Sequence, residues 1–165
     1  MIESILDTNV LVDFASIDAI ELLAGFFSGR ASVVAHAREA ELGKGALKGL
    51  PDPCVLKGEL WVRVIDDMDI EEYHFAQELV LRLGEQNTGE AHAIALCRFR
   101  SLEFCTRDTD AMRIAAHVGV TVFTPTAILN RMIHEEHLTI EQAFAMAERL
   151  TKRGAVNPRY LFEKA

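Results

Sequence analysis

Residues 2–13 read Ile-Glu-Ser-Ile-Leu-Asp-Thr-Asn-Val-Leu-Val-Asp, a short apolar run cut off by Asp-Thr-Asn and followed at once by apolar residues at helical spacing. Ile2, Ile5 and Leu6 predict a buried strand, and Val10, Leu11, Phe14 and Ile17 predict the helix after it. A strand that turns directly into a helix at an acidic residue constrains the chain to an α/β fold. It also leaves the Asp7 carboxylate at the strand's carboxyl end, where open α/β sheets bind their ligands. Asp is a favoured N-cap, so capping the helix is the other account of Asp7. The positions of the remaining acids bear on the choice.

The same alternation runs down the chain. Asp18 predicts a cap for a helix over 19–27, closed by Ser28-Gly29. Ala31 to Ala35 predicts a second strand, and His36 to Leu42 a helix carrying Glu39 and Glu41 that Gly43-Lys44-Gly45 ends. From Lys44 to Gly58, with Pro51-Asp52-Pro53, the pattern predicts an irregular connection. Trp61 to Ile65 predicts a third strand. Asp66, Asp67 and Asp69 predict a solvated turn and N-cap for a helix over 70–83. Asn87 and Glu90 have capping-box spacing ahead of an apolar helix ending at Arg100, which gives Glu90 a structural account. Leu102 to Thr106 predicts the fourth strand, Ala111 to His117 a helix, and Val118 to Phe123 a fifth strand broken by Gly119. Pro125 suits the first helical position before 126–134, and Thr139 with Gln142 predicts a capping box for a helix over 140–151. Strands alternating with helices at this spacing imply a three-layer α/β/α sandwich on a mainly parallel sheet of about five strands, with right-handed crossovers.

One core suffices for 165 residues, half of them hydrophobic, so a single domain over 1–165 is expected. The formal charge of −8 offers no global attraction to a polyanion. A phosphate partner therefore needs a local basic patch, metal ions or both. Cys54, Cys97 and Cys105 are odd in number and without CxxC spacing, which fits reduced core residues of a cytoplasmic protein. No leader is evident before Asp7 and no apolar run nears the roughly 20 residues that span a bilayer, so no membrane partner is expected.

Parallel strands separated by helices share one edge for their carboxyl ends. Asp7 follows strand one there and Asp108 follows strand four. The helix from Glu90 runs antiparallel to the strand at Leu102, so Glu90 returns to the same edge. Glu41 lies about one and a half turns into its helix, near enough to lean back. Four carboxylates this close raise one another's pKa values unless a cation shares the site. Mg²⁺ and Mn²⁺ take oxygen ligands and accept phosphate oxygens. The chemistry implied is phosphodiester hydrolysis.

Leu6-Asp7-Thr8-Asn9-Val10-Leu11-Val12, Glu41-Leu42-Gly43-Lys44-Gly45, Gly89-Glu90-Ala91-His92-Ala93-Ile94-Ala95-Leu96 and Cys105-Thr106-Arg107-Asp108-Thr109-Asp110 occur in this order. Together they resemble the PIN-domain ribonucleases, in particular the VapC-like and related prokaryotic PIN proteins. The resemblance covers residues 2 to about 126, with 127–165 similar to the helical extension of one subgroup. It implies a Mg²⁺- or Mn²⁺-dependent endoribonuclease whose carboxylates are Asp7, Glu90 and Asp108 with a glutamate from the second helix. The Glu-Leu-Gly pattern favours Glu41 over Glu39, which points about 160° away. Thr106 resembles the family's hydroxyl residue after the fourth strand, and Thr8 and Asn9 would steady Asp7 or a bound water. Asp110 is either a supporting ligand or a helix-dipole charge. A small antitoxin and a homodimer are further implied; Phe26, Phe27 and the closing helix suit a dimer surface, and core packing explains them equally well.

RNA requires positive groups near this edge, and Arg38, Lys44, Lys48 and Arg107 are the nearest in sequence; each also suits an ordinary surface position. His134 and His137 lack the spacing of a zinc hydrolase and mark a helix end. His92 reads as a packed or half-exposed polar residue. The competing expectation is a binding module that holds RNA or protein without cutting, although a non-catalytic scaffold has no reason to gather four repelling acids.

Overall fold

Apolar residues of period two and period 3.6 alternate along the chain, and the elements they form stack as three layers. The computed structural model describes residues 3–42, 49, 51–156 and 161. β1 (Ser4–Leu6) leads through Asp7 into α1 (Thr8–Ala15), followed by α2 (Ile20–Phe27). β2 (Ala31–Val34) continues as the short helix α3 (Ala35–Ala37), which widens into a π-helical turn, Arg38–Leu42. A small antiparallel hairpin, β3 (Val55–Leu56) and β4 (Glu59–Leu60), precedes β5 (Arg63–Ile65). Next come α4 (Ile70–Leu83), a 3-10 turn (Glu85–Asn87) and α5 (Thr88–Arg100). β6 (Glu103–Cys105), α6 (Thr109–His117), β7 (Val122–Phe123), α7 (Pro125–His134) and α8 (Ile140–Thr151) complete the order.

The main sheet has the strand order β5-β2-β1-β6-β7, every neighbouring pair parallel. Successive strand residues feed opposite faces, as the pleat requires. Leu6, Val33, Cys105 and Phe123 join one apolar cluster with α1, α2, α7 and α8. Ile5, Val34, Phe104 and Ile65 join the other, with α4, α5 and α6. The architecture is therefore an α/β/α sandwich around a five-stranded parallel sheet. Each fully buried Leu, Ile or Phe contributes roughly 1.5–3 kcal/mol to holding these layers.

Several sequence expectations are realised. Residues 70–83 form one helix, started by a complete capping box between Asp69 and Glu72. Pro125 occupies the first helical position of α7, and Thr139 with Gln142 closes the predicted box on α8. All three cysteines are buried and unpaired. No helix among the described residues is long and apolar enough to cross a membrane.

Other expectations need correction. Asp18 does not cap α2: its φ is +56° and the N-cap is Ala19, without a side-chain bond. Asn87 makes no capping box with Glu90; its amide nitrogen donates to the Leu83 carbonyl at 2.7 Å. The stretch expected to be irregular contains β3 and the start of a hairpin turned by Lys57-Gly58, while the part over 44–48 lies outside the described residues. The last strand is only Val122–Phe123, because residues 118–121 are used in turning the chain out of α6 through Gly119 at φ +80°. Trp61 precedes β5 and ties the hairpin by donating from Nε1 to the Pro53 carbonyl at 2.7 Å. The boundary at 126/127 falls inside α7, whose Ile128, Leu129 and Met132 share a core with α1. Phe26 and Phe27 are buried and packed edge to face, 5.2 Å between ring centres, so they present no surface to a second copy.

Candidate active site

The register of the two central strands creates the site. Leu6 of β1 stands opposite Cys105 of β6, so both chains leave the sheet together at Asp7 and Thr106. The Asp7 backbone N–H still donates to the Cys105 carbonyl at 2.9 Å. Asp7 occupies the N-cap position of α1 but its carboxylate makes no capping bond. Instead, Oδ2 accepts from the Thr106 hydroxyl at 2.5 Å and from the Asn9 side-chain amide at 2.6 Å. Thr106 in turn accepts the Asp108 backbone N–H at 3.0 Å. Its one hydroxyl proton is thereby directed to Asp7. Asp108 does cap its helix, accepting the Ala111 N–H at 2.7 Å through Oδ1.

Glu41 arrives from the π-helical turn after β2 and accepts the Thr8 hydroxyl. With that proton given to Glu41, the 3.4 Å contact from Thr8 to Asp7 Oδ1 is loose. The approach of α3 to α5 depends on Gly89: a Cβ there would stand 2.7 Å from the Ala37 Cβ and 3.6 Å from Glu41 Oε1. The missing side chain therefore lets the helix carrying Glu90 sit against the turn carrying Glu41. Glu39 lines a different cleft, with Arg38, Leu42 and Asp52. Of the two glutamates the sequence offered, Glu41 is the one beside Asp7 and Glu90.

Burial first, and mutual repulsion after it, shape the protonation equilibria of the acids. Burial pushes the Asp7 carboxyl up to about 6; the Thr106 bond opposes this, and the charges of Glu41 and Asp108 add to it. Burial likewise lifts Glu90 to about 7, reinforced by Asp7, Glu41 and Asp108. Glu90 Oε2 is buried with no hydrogen-bond partner among the described residues. A buried unpaired carboxylate oxygen is costly unless a proton or a cation meets it.

The supporting residues divide. Thr8, Asn9 and Thr106 each contact the acids. Asp110 does not: it is exposed on α6, 3.4 Å from Arg113. Arg38 is paired with Asp52 at 2.7 Å, and Lys44 and Lys48 lie outside the described residues, as do Gly43 and Gly45. Arg107 lines a cleft of about 210 Å³ with Thr8, Asn9, Val12, Glu41 and Leu42. His92 is half-buried, its ring centre 5.5 Å from His36 and 6.4 Å from Tyr73, and burial followed by the His36 charge lowers its pKa. His134 ends α7, and His137 packs edge-on against Phe26.

Asp13 was not anticipated. It is fully buried, with Arg153 Nε donating to Oδ1 at 3.2 Å and Arg107 Nε 2.7 Å from Oδ2 as an ion pair, Oδ2 itself accepting no hydrogen bond among the described residues. The signal was present: Val10-Leu11-Val12-Asp13-Phe14-Ala15 is apolar on every side of the helix except at position 13. A charge in such a helix has no solvated face to occupy and must find partners inside.

As they stand, no three acids, histidines or cysteines among the described residues are arranged around one point as metal ligands. The donor chemistry nonetheless suits a hard divalent ion, being all carboxylate and hydroxyl oxygen, and the unpartnered Glu90 oxygen is a ligand without a present role. No family model and no curated protein matches the sequence, so a functional reading rests on these residues, their geometry and the motif resemblance.

Proposed function

We infer that this chain is a Mg²⁺- or Mn²⁺-dependent endoribonuclease of the PIN kind, hydrolysing RNA phosphodiester bonds at the edge formed by Asp7, Glu41, Glu90 and Asp108. The observation that carries this reading is the electrostatic one. Burial lifts Asp7 to about 6 and Glu90 to about 7, the charges of neighbouring carboxylates from separate elements add to both shifts, and Glu90 Oε2 is left unpaired. A purely structural edge gains nothing from that arrangement, whereas a cation converts the repulsion into binding energy.

Asp7, Glu90 and Asp108 would hold the ion, with Glu41 alongside. Such an ion supplies a water acidified toward neutral pH and positive charge against the charge that builds on the phosphodiester. The chain's own residues prepare the site for it. Thr106 and Asn9 fix one oxygen of Asp7 and leave Oδ1 only loosely engaged. The Asp108 cap holds its Oδ1 and leaves the second oxygen unclaimed by that bond. Thr8 orients Glu41. In the reaction, water adds at phosphorus, the bond to the departing nucleoside oxygen breaks, and that oxygen takes up a proton.

A toxin role belongs to the same reading, with a small antitoxin covering the acidic edge. So does a homodimer, though one built without Phe26 and Phe27.

The test is cleavage of a mixed RNA pool by wild type and Asp7→Asn, with Mg²⁺, with Mn²⁺ and with chelator. Metal-dependent cutting that disappears in the variant supports the reading. Absence of cutting together with no rise in melting temperature on adding either metal rejects it in favour of a binding module.

A further inference from the structure

Asp13 and Arg107 form a unit that the acidic edge by itself does not explain. A carboxylate with a fully buried side chain on α1 is expensive, and two guanidiniums offset it. Arg153, just beyond α8, ties the turn after that helix to α1. Arg107 is placed differently. It stands between Thr106 and Asp108, two residues of the site, and forms one wall of the cleft whose other lining includes Thr8, Asn9 and Glu41. It meets Asp13 through Nε as an ion pair, and its side chain is 38% exposed at the cleft. A guanidinium anchored at Nε presents its two Nη groups as a fork, the geometry that matches two oxygens of a phosphate. On a chain of net charge −8, such a fixed cation beside four carboxylates supplies the local attraction that the molecule as a whole lacks.

We propose that Arg107, positioned by the buried carboxylate of Asp13, clamps a backbone phosphate of single-stranded RNA in the cleft bounded by Thr8, Asn9 and Glu41, setting the strand's register at the acidic edge. The proposal rests on the nuclease reading above. Asp13 is a positioning residue that draws the Nε side of the guanidinium inward by charge, so that less rotamer entropy is lost when the phosphate arrives. The phosphate contacted is a neighbour of the scissile one, because the acids occupy the reacting position.

A purely structural tie treats Arg107 and Arg153 alike, since each neutralises one oxygen of Asp13. A clamp does not. Binding of a labelled mixed-sequence single-stranded RNA is measured with chelator present, between about 50 and 200 mM salt, for wild type, Arg107→Gln, Arg107→Lys and Arg153→Gln, alongside melting temperatures. Arg107→Gln is expected to weaken binding about tenfold, as loss of one charge-assisted contact would. It should also flatten the slope of log K against log salt by about 0.7, the value for one phosphate on a single strand. Arg107→Lys should keep the slope but recover the affinity only in part, having charge without the fork. Arg153→Gln should lower the melting temperature and leave RNA binding unchanged. Where Arg107→Gln does not fold, Asp13→Asn/Arg107→Gln removes the uncompensated charge and carries the same comparison.

Equal RNA binding by Arg107→Gln and wild type overturns the clamp, as does an equal loss in Arg153→Gln. If wild type still cuts RNA in that case, the nuclease reading survives without the clamp. Failure of wild type both to bind and to cut RNA overturns the two together.

Discussion

Asp7 and Thr106 lie 99 positions apart in sequence and 2.5 Å apart in space, joined by a buried hydroxyl-to-carboxylate hydrogen bond where two neighbouring parallel strands leave the sheet. The bond does two things at once. It secures one oxygen of the most buried acid in the cluster, and it ties that acid to the N-terminus of α6 through the Asp108 N–H.

Thr106→Val keeps the shape and removes the hydroxyl. Two polar groups then lose a buried partner, and the protein should lose about 1–3 kcal/mol in urea unfolding. The Thr106 bond lowers the Asp7 pKa, so its loss should raise that pKa further above about 6. The pH at which metal-dependent RNA cleavage reaches its plateau is therefore expected to move to higher pH. A profile that keeps its midpoint would argue that the Asp7 charge does not govern the reaction.

Stability without metal should fall as the pH rises. The folded-state pKa values of Asp7 and Glu90, about 6 and about 7, exceed their ordinary values of 3.8 and 4.5. Between those limits the folded protein binds more protons than the unfolded chain, so stability is full below about pH 4 and is lost up to about pH 7. For Asp7 alone the loss at neutral pH is on the order of 3 kcal/mol. Melting temperatures in chelator should decline over this range, decline less in Asp7→Asn, and recover on adding Mg²⁺ or Mn²⁺. A melting temperature indifferent to pH and to metal in wild type would contradict the charge cluster.

Two glycines in helices should respond oppositely to alanine. Gly89→Ala puts a Cβ 2.7 Å from the Cβ of Ala37, so α3 and α5 must separate. The expected cost is about 1–3 kcal/mol, with a loss of cleavage as Glu41 moves away from Glu90. Gly25, within α2, has open space where its Cβ would stand. Gly25→Ala should stabilise by about 0.5–1 kcal/mol through helix propensity. Urea denaturation of the two variants side by side checks both signs. A neutral Gly89→Ala would remove the steric account of how the glutamates are brought together.

Local signals made much of the architecture legible. Residues 70–83, the box at Thr139 and Gln142, and Pro125 at the head of α7 are decided by side chains and backbone groups within one or two turns, and the structure has them where the sequence puts them. The edge shared by Asp7, Glu41, Glu90 and Asp108 was also readable, because parallel strands joined by helices leave few alternatives. Local signals misled where a longer-range partner competed. The spacing of Asn87 and Glu90 suits a capping box, but Asn87 bonds back to Leu83 and Glu90 turns toward the other acids. Tyr73 keeps helical register with Ala76 and Leu79 but stays half exposed, while Glu72 is buried by its paired contacts with Arg100 at 2.7 and 2.8 Å.

Periodicity and chain direction were enough to read the main helices and strands and the parallel sandwich they build, with the acids following strands one and four on a shared edge; the β3–β4 hairpin, the π-helical turn over 38–42 and the short last strand were not legible that way. Packing in three dimensions settled what local pattern left open: that Phe26 and Phe27 are core, and that Asp13 is buried between Arg107 and Arg153; it also sets Glu41, already favoured by its Glu-Leu-Gly context, beside Asp7. Those outcomes depend on contacts between residues up to 140 positions apart, and a short window of sequence contains one partner of such a contact without the other.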